Sequence, residues 1–223
     1  MRKKHRNLTL PKVLFCTLSL LVAKPEFLSA QNNLRHSFRS LSAPEKRWVI
    51  FHPFIAKKSW HLTQQARAET KLVTNDSRLD GDSNGGQVDA FRHGYWMALL
   101  SREICWRKAR SLGKAHEKGN FRSFKKHTLE DSALPDSMAS VMDAFNNAFG
   151  IEQSRTQKAL PDSALKEAII QAILNGKLRI LWKNTDGRFL DCKGDVVPDP
   201  VILFSWSQVR CLVPSDTRPK SGD

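Results

Sequence analysis

The sequence has no run of twenty apolar residues, so it offers no helix to span a bilayer. It also lacks Cys-x-x-Cys, His-Glu-x-x-His, a Gly-x-Ser-x-Gly elbow and a glycine-rich phosphate loop, so no single motif names a reaction. There is no internal repeat. Basic residues outnumber acidic ones, 36 to 22, yet they are scattered, as in "WRKARSLGKAHEKG". They form no aromatic-interleaved basic platform, so no specific nucleic-acid motif is present. At 40% hydrophobic and 26% charged, the 223 residues suit one domain with a sizeable core, plus appendages.

The first thirty residues stand apart. "MRKKHRNLTLPK" is a basic leader, "VLFCTLSLLVA" a short apolar run, and "KPEFLSA" ends in small residues. This order is that of a secretory signal peptide cleaved near Ala30. A buried N-terminal helix is the alternative. A lipid anchor does not fit, because Cys16 lies inside the apolar run behind bulky Phe15. The expected location is therefore exported, periplasmic or extracellular. Removing residues 1–30 takes away six Lys/Arg and one Glu, which lowers the formal charge from +14 to +9. That excess suits an anionic partner, although scattered Lys and Arg also describe an ordinary solvated face. Of the remaining cysteines, Cys192 and Cys211 fall in one short segment and can form a disulfide. Cys105, in an apolar helical context, is expected to be a buried thiol.

The fold class is mainly α: a compact helical domain with a small C-terminal antiparallel β hairpin or meander. Residues 31–43 read as a flexible linker. Residues 44–176 read as the helical domain, opened by Pro44 and broken at Pro53. "NDSRLDGDSNGG" (75–86) is a loop without the closing Glu of an EF-hand, so calcium is rejected there. Helices follow over about 87–103, 106–118 and 138–149, the last stopped by Gly150. "DSALKEAIIQAILNGK" is a further amphipathic helix. In residues 177–213 the period falls to two, and "LRILWKNTDGRFLDC", "VILFSW" and "VRCLVP" read as short strands. Residues 214–223 read as a disordered tail.

Three helices deliver polar groups to an interior. In "QVDAFRHGYWMALLSRE" nearly every direction is apolar or small on a helical wheel. Asp89 and His93, four apart, share the arc of Trp96 and Leu100, and Arg92 flanks them. In the next helix His116 falls on the inward face with Ala109 and Leu112, and Glu117 borders it. In "SMASVMDAFNNAFG", Asp143, Asn146 and Asn147 adjoin the apolar stripe. A buried charge left alone costs several kcal/mol, so these groups must pair, bond or share an ion. Histidines and carboxylates from separate helices are the ligand types of a divalent-metal site, zinc being the usual ion. His93, His116, Asp143 and Asp89 form the expected ligand set. Glu117 is the expected general base to a bound water, Arg92 the contact for an anionic substrate, and Asn147 a further catalytic group.

At "DAFRHGYW" (89–96), "AHE" (115–117) and "DAFNN" (143–147) the chain resembles an uncharacterised bacterial domain family. Its pattern is Asp-Ala-x-Arg-His-x-x-Trp, then Ala-His-Glu, then Asp-x-x-Asn-Asn-x-x-Gly. That family occurs in secreted stand-alone proteins and at the ends of large surface or toxin-like proteins. This chain is similar to a stand-alone member over about residues 75–155. The likeness places polar residues on Asp89, Arg92, His93, Trp96, His116, Glu117, Asp143, Asn146 and Asn147, with Gly150 after them. Gly94 replaces a more usual Ala, and Cys105 stands where a Gly often ends the helix. The resemblance implies a mostly helical fold and a site location, but no reaction.

Three functions fit these residues. One is a metal-dependent hydrolase acting on a phosphodiester, phospholipid or cell-wall polymer. Another is metal-free acid–base chemistry by His93 and His116. The third is a non-enzymatic secreted binding module whose polar cluster is structural. The leader carries its own prediction. N-terminal sequencing of exported protein should begin near Gln31, and exported chains that begin at Met1 would refute a cleaved signal peptide.

Overall fold

A computed structural model describes residues 35–127, 134–157, 159–207 and 209–220. The leader and residues 31–34 of the expected linker lie outside the described residues. Leu41–Asp223 forms one compact unit, and the buried apolar residues described, from Trp48 to Cys211, belong to it. Residues 35–40, expected as linker, are helical.

Ser42 caps α1 (Ala43–Phe51) reciprocally: its hydroxyl accepts the Glu45 N–H, and its N–H donates to Glu45 Oε2 at 2.8 Å. Pro53 ends that run and opens α2 (Pro53–Val73), where its missing N–H has no partner to lose. The acidic loop after it turns on its own side chains. Asp80 Oδ1 accepts the Asp82 N–H at 2.8 Å, and Asp82 Oδ1 accepts the Asn84 N–H at 2.9 Å. Four helices follow: α3 (Gln87–Ile104), α4 (Trp106–Lys125), α5 (Ser137–Thr156) and α6 (Asp162–Leu174).

The central helix is α3, which touches α2, α4, α5 and α6. Val88, Phe91, Tyr95, Met97, Leu99 and Leu100 on it are all buried. Its small residues admit neighbouring backbones. A Cβ at Gly150 would lie 2.0 Å from the Gly94 carbonyl oxygen. Gly150 is thus not the helix stop that the sequence suggests. It sits within α5, which continues to Thr156, and glycine is needed there to admit α3. Likewise α4 runs past the expected end at 118 because its later turns lie on α1. A Cβ at Gly119 would meet Ser42 Oγ at 2.5 Å.

The C-terminal part is a small meander. β1 (Arg179–Leu181) pairs antiparallel with β2 (Leu212–Pro214), with Ile180 opposite Val213. Bridges Lys183–Phe189, Leu190–Val196 and Asp191–Arg210 extend it, and a disulfide joins Cys192 to Cys211. The expected strand "VILFSW" is corrected to a short helix, α7 (Asp199–Phe204). Pro198 and Pro200 cannot donate to a ladder and preset a first helical turn. Cys105 is exposed rather than buried, at the turn between α3 and α4 with φ of 80°. The tail is not loose through residue 220. Ser215 is fully buried and its hydroxyl donates to the Ile173 carbonyl at 2.7 Å. The Lys220 N–H donates to the Lys183 carbonyl at 3.1 Å. Among the described residues no helix is long and apolar enough to cross a membrane.

The Gly94–Gly150 crossing yields a stability prediction. Gly150→Ala should cost about 3 kcal/mol or prevent folding, because the methyl group would have to displace backbone. Urea unfolding checks it, with the Leu41–Asp223 unit showing one cooperative transition by itself. A variant as stable as its parent would show that the two helices do not meet there.

Candidate functional site

The first turn of α3 follows Gly85 and Gly86, and it brings Asp89 back beneath the acidic loop. The Gly85 N–H donates to Asp89 Oδ2 at 2.7 Å. The other carboxylate oxygen, Oδ1, faces Arg92 NH2 at 2.7 Å and His93 Nε2 at 3.5 Å. One helical turn supplies all three groups. From α5, Asp143 Oδ1 approaches His93 Nε2 to 3.2 Å, and Asn147 Oδ1 lies 3.3 Å from His93 Nδ1. Asp143, Asn147 and Gly150 follow one another on a single face of α5. The glycine contact that joins the helices therefore also aims the polar pair at α3.

Asp89, His93 and Asp143 each offer a ligand atom, and these atoms lie within 4.8 Å of one another. All three residues are buried, His93 to 2% exposure. Burial, followed by the positive charges of Arg92 and His116, holds the His93 pKa well below its ordinary 6.5, against the Asn147 bond. In the tautomer that donates Nδ1–H to Asn147 Oδ1, the neutral imidazole turns the lone pair of Nε2 toward two carboxylate oxygens. Three electron-rich atoms facing one point call for a cation. Arg92 NH2, 3.2 Å from His93 Nε2, is the cation the chain itself places nearby.

The structure divides the expected ligand set. Asp89, His93 and Asp143 come together. His116 stands one layer out, its ring centroid 6.3 Å from that of His93 and 5.5 Å from that of Trp96. Its Nδ1 lies 3.0 Å from Glu45 Oε1. Glu117 is half-buried, and Asn120 Nδ2 donates to it at 3.5 Å. Asn146 turns away to β1, where its amide accepts the Arg179 N–H and donates to the Arg179 carbonyl, both at 2.9 Å. Trp96 Nε1 donates to Thr63 Oγ1 at 2.9 Å.

Glu45 is the participant that sequence reasoning missed. Its capping partner Ser42 is legible three residues earlier. Its reach to His116, 71 residues away, is not. Burial pushes the Glu45 carboxyl up, but the His116 hydrogen bond and charge, with the Ser42 contacts, bring it down to about 2. Glu45 and His116 thus form a carboxylate–imidazole pair beside the buried trio.

With this geometry in place, the comparisons with known proteins define a class. The chain belongs to the family described as Domain of unknown function (DUF6973), whose model matches residues 46–177. No curated protein and no solved structure matches the chain.

Two groups give the site a pH signature. The folded pKa of His93 is depressed, so below 6.5 the unfolded chain binds a proton that the native state refuses. Stability should start to fall as pH drops through 6.5. The folded pKa of Glu45 is also depressed, so its contribution is complete above 4.5 and is lost as pH falls toward about 2. That contribution is about 3 kcal/mol. Unfolding free energies measured across pH should show both limbs. His93→Gln should remove the upper limb and Glu45→Gln the lower. A profile unchanged by both substitutions would refute the assignment.

Proposed function

We propose that this chain is an exported metal-dependent hydrolase. The observation that carries the reading is the buried Asp89–His93–Asp143 trio, with three ligand atoms within 4.8 Å. In this proposal the trio would hold a divalent ion, zinc in first place, which would supply Lewis-acid activation of water. Asn147 orients His93 as a second partner of the imidazole. Arg92, whose side chain is 25% exposed, leaves Asp89 for the solvent edge and meets an anionic oxygen of the substrate.

His116 takes the role expected of Glu117 in this proposal, and Glu117 takes none of its own. His116 lies outside the trio, and a carboxylate orients it, which is the arrangement of a general base with its positioning partner. In its neutral form His116 would therefore accept the proton of the water, with Glu45 holding its Nδ1. Glu117 lines the same helix beside it. The substrate class is a phosphodiester, a phospholipid or a wall polymer. The basic leader and the Cys192–Cys211 disulfide support export to an oxidising compartment.

Arg92 favours one competing reading. Its guanidinium already lies 2.7 Å from Asp89 and 3.2 Å from His93, so it can serve as the resident cation of a structural cluster in a non-enzymatic binding module. Metal analysis separates the two. The hydrolase reading expects one equivalent of divalent ion, lost in His93→Ala and Asp143→Asn but kept in Arg92→Ala. It also expects chelation to lower Tm and to abolish cleavage of bis(p-nitrophenyl) phosphate. The resident-cation reading expects no ion under any loading condition. It further expects Arg92→Ala to cost roughly 3 kcal/mol, because the buried Asp89 carboxylate would lose its counter-charge. Protein that stays metal-free after dialysis against zinc and manganese would overturn the hydrolase.

A further inference from the structure

We propose that the corner between α1 and α2 docks the protein onto an anionic lipid bilayer. Ile50 and Phe51 end α1, and Phe54 stands in the first turn of α2. They are 64%, 73% and 99% exposed. Single exposed apolar residues are ordinary, but three within five residues at one helix junction mark a contact surface. The same helices bury other apolar residues in the core. Trp48 stacks on His52 with ring centroids 4.5 Å apart, and Leu62 and Ala66 join the main cluster. The corner is thus a second apolar face, separate from the one that drives folding.

The charge around this face selects the occupant. From Lys46 to Ala68 the sequence holds Lys46, Arg47, Lys57, Lys58 and Arg67, with no Asp or Glu. Arg47, Lys57 and Lys58 are exposed, and so is Lys108, whose Nζ lies 3.0 Å from His52 Nε2. The nearby acids are engaged: Glu45 with Ser42 and His116, and Glu103 with Lys58 at 2.6 Å. An aromatic wedge with a cationic rim matches acyl chains beneath anionic headgroups. A second copy of the chain would set cationic rim against cationic rim. The inference does not depend on the metal-hydrolase reading.

Cosedimentation with vesicles tests it on the full chain, beside a chain without residues 1–30 that shows any binding by the leader itself. Both should bind phosphatidylglycerol-containing vesicles and not pure phosphatidylcholine, and high salt should weaken binding. Phe51→Ser/Phe54→Ser should weaken it about tenfold or more while thermal unfolding stays unchanged. Arg47→Gln/Lys57→Gln should weaken it with the phenylalanines intact. Equal binding to neutral vesicles, or equal binding by parent and variants, would overturn the proposal. So would absence of vesicle binding. If the parent were then a dimer that Phe51→Ser/Phe54→Ser dissolves, the face would belong to a second copy.

Discussion

The burial of Asp89 and His93, with Arg92 half-buried beside them, on a helix with almost no solvent face governs the centre of this protein. The apolar residues of α3 leave water only if the helix is enclosed, and enclosure strands its charged groups away from water as well. Each must then find partners in the surrounding layers. Asp89 takes the Gly85 N–H and Arg92, and His93 takes Asn147 and Asp143. These partners reach the imidazole because Gly150 and Gly94 bring the two helix backbones together. A larger residue at Gly150 would do more than strain the crossing. It would withdraw Asp143 and Asn147 from His93.

The same dependence runs into the C-terminal meander, which lies beyond residue 177, where the family match ends. The Leu181 N–H donates to the Gly85 carbonyl at 2.7 Å, while the Gly85 N–H holds Asp89. Lys183 pairs with Asp82 in the loop that precedes α3, and its Nζ donates to the Asn84 carbonyl at 2.7 Å. Asn146 joins α5 to the backbone of Arg179 in both directions. The meander therefore braces the loop and both helices that carry the trio.

The elements and residues that sequence made legible share one property: their signal is local. The all-round apolar α3, the amphipathic α6 and the break at Pro53 follow from periodicity and proline geometry. Asp89 and His93 follow from their place on an otherwise apolar arc, and Asp143 and Asn147 from their spacing. What escaped was decided by packing between distant segments. Gly150 carries the local mark of a helix end, but the approach of α3 gives it another purpose. "VILFSW" is a short apolar run like that of a buried strand, yet the prolines before it and the disulfide-closed segment set it as a helix. Cys105 continues the apolar character of α3 in sequence, although the chain turns outward at that residue. Glu45 reads only as half of a capping box until α4 lays His116 against it.

Charge balance links the two halves of the functional proposal. If both carboxylates are ionised, Asp89 and Asp143 with Arg92 leave the buried cluster one negative charge in excess, since His93 is neutral. A cluster of that sign repels an anionic ester. A divalent ion would reverse the sign, and Arg92, freed from Asp89, would add to the attraction at the solvent edge. An anionic substrate is therefore compatible with this site only when a cation occupies it. Arg92 is the hinge between the alternatives: bound to Asp89 it closes a structural cluster, and turned outward it leaves a metal-binding trio with a substrate contact beside it.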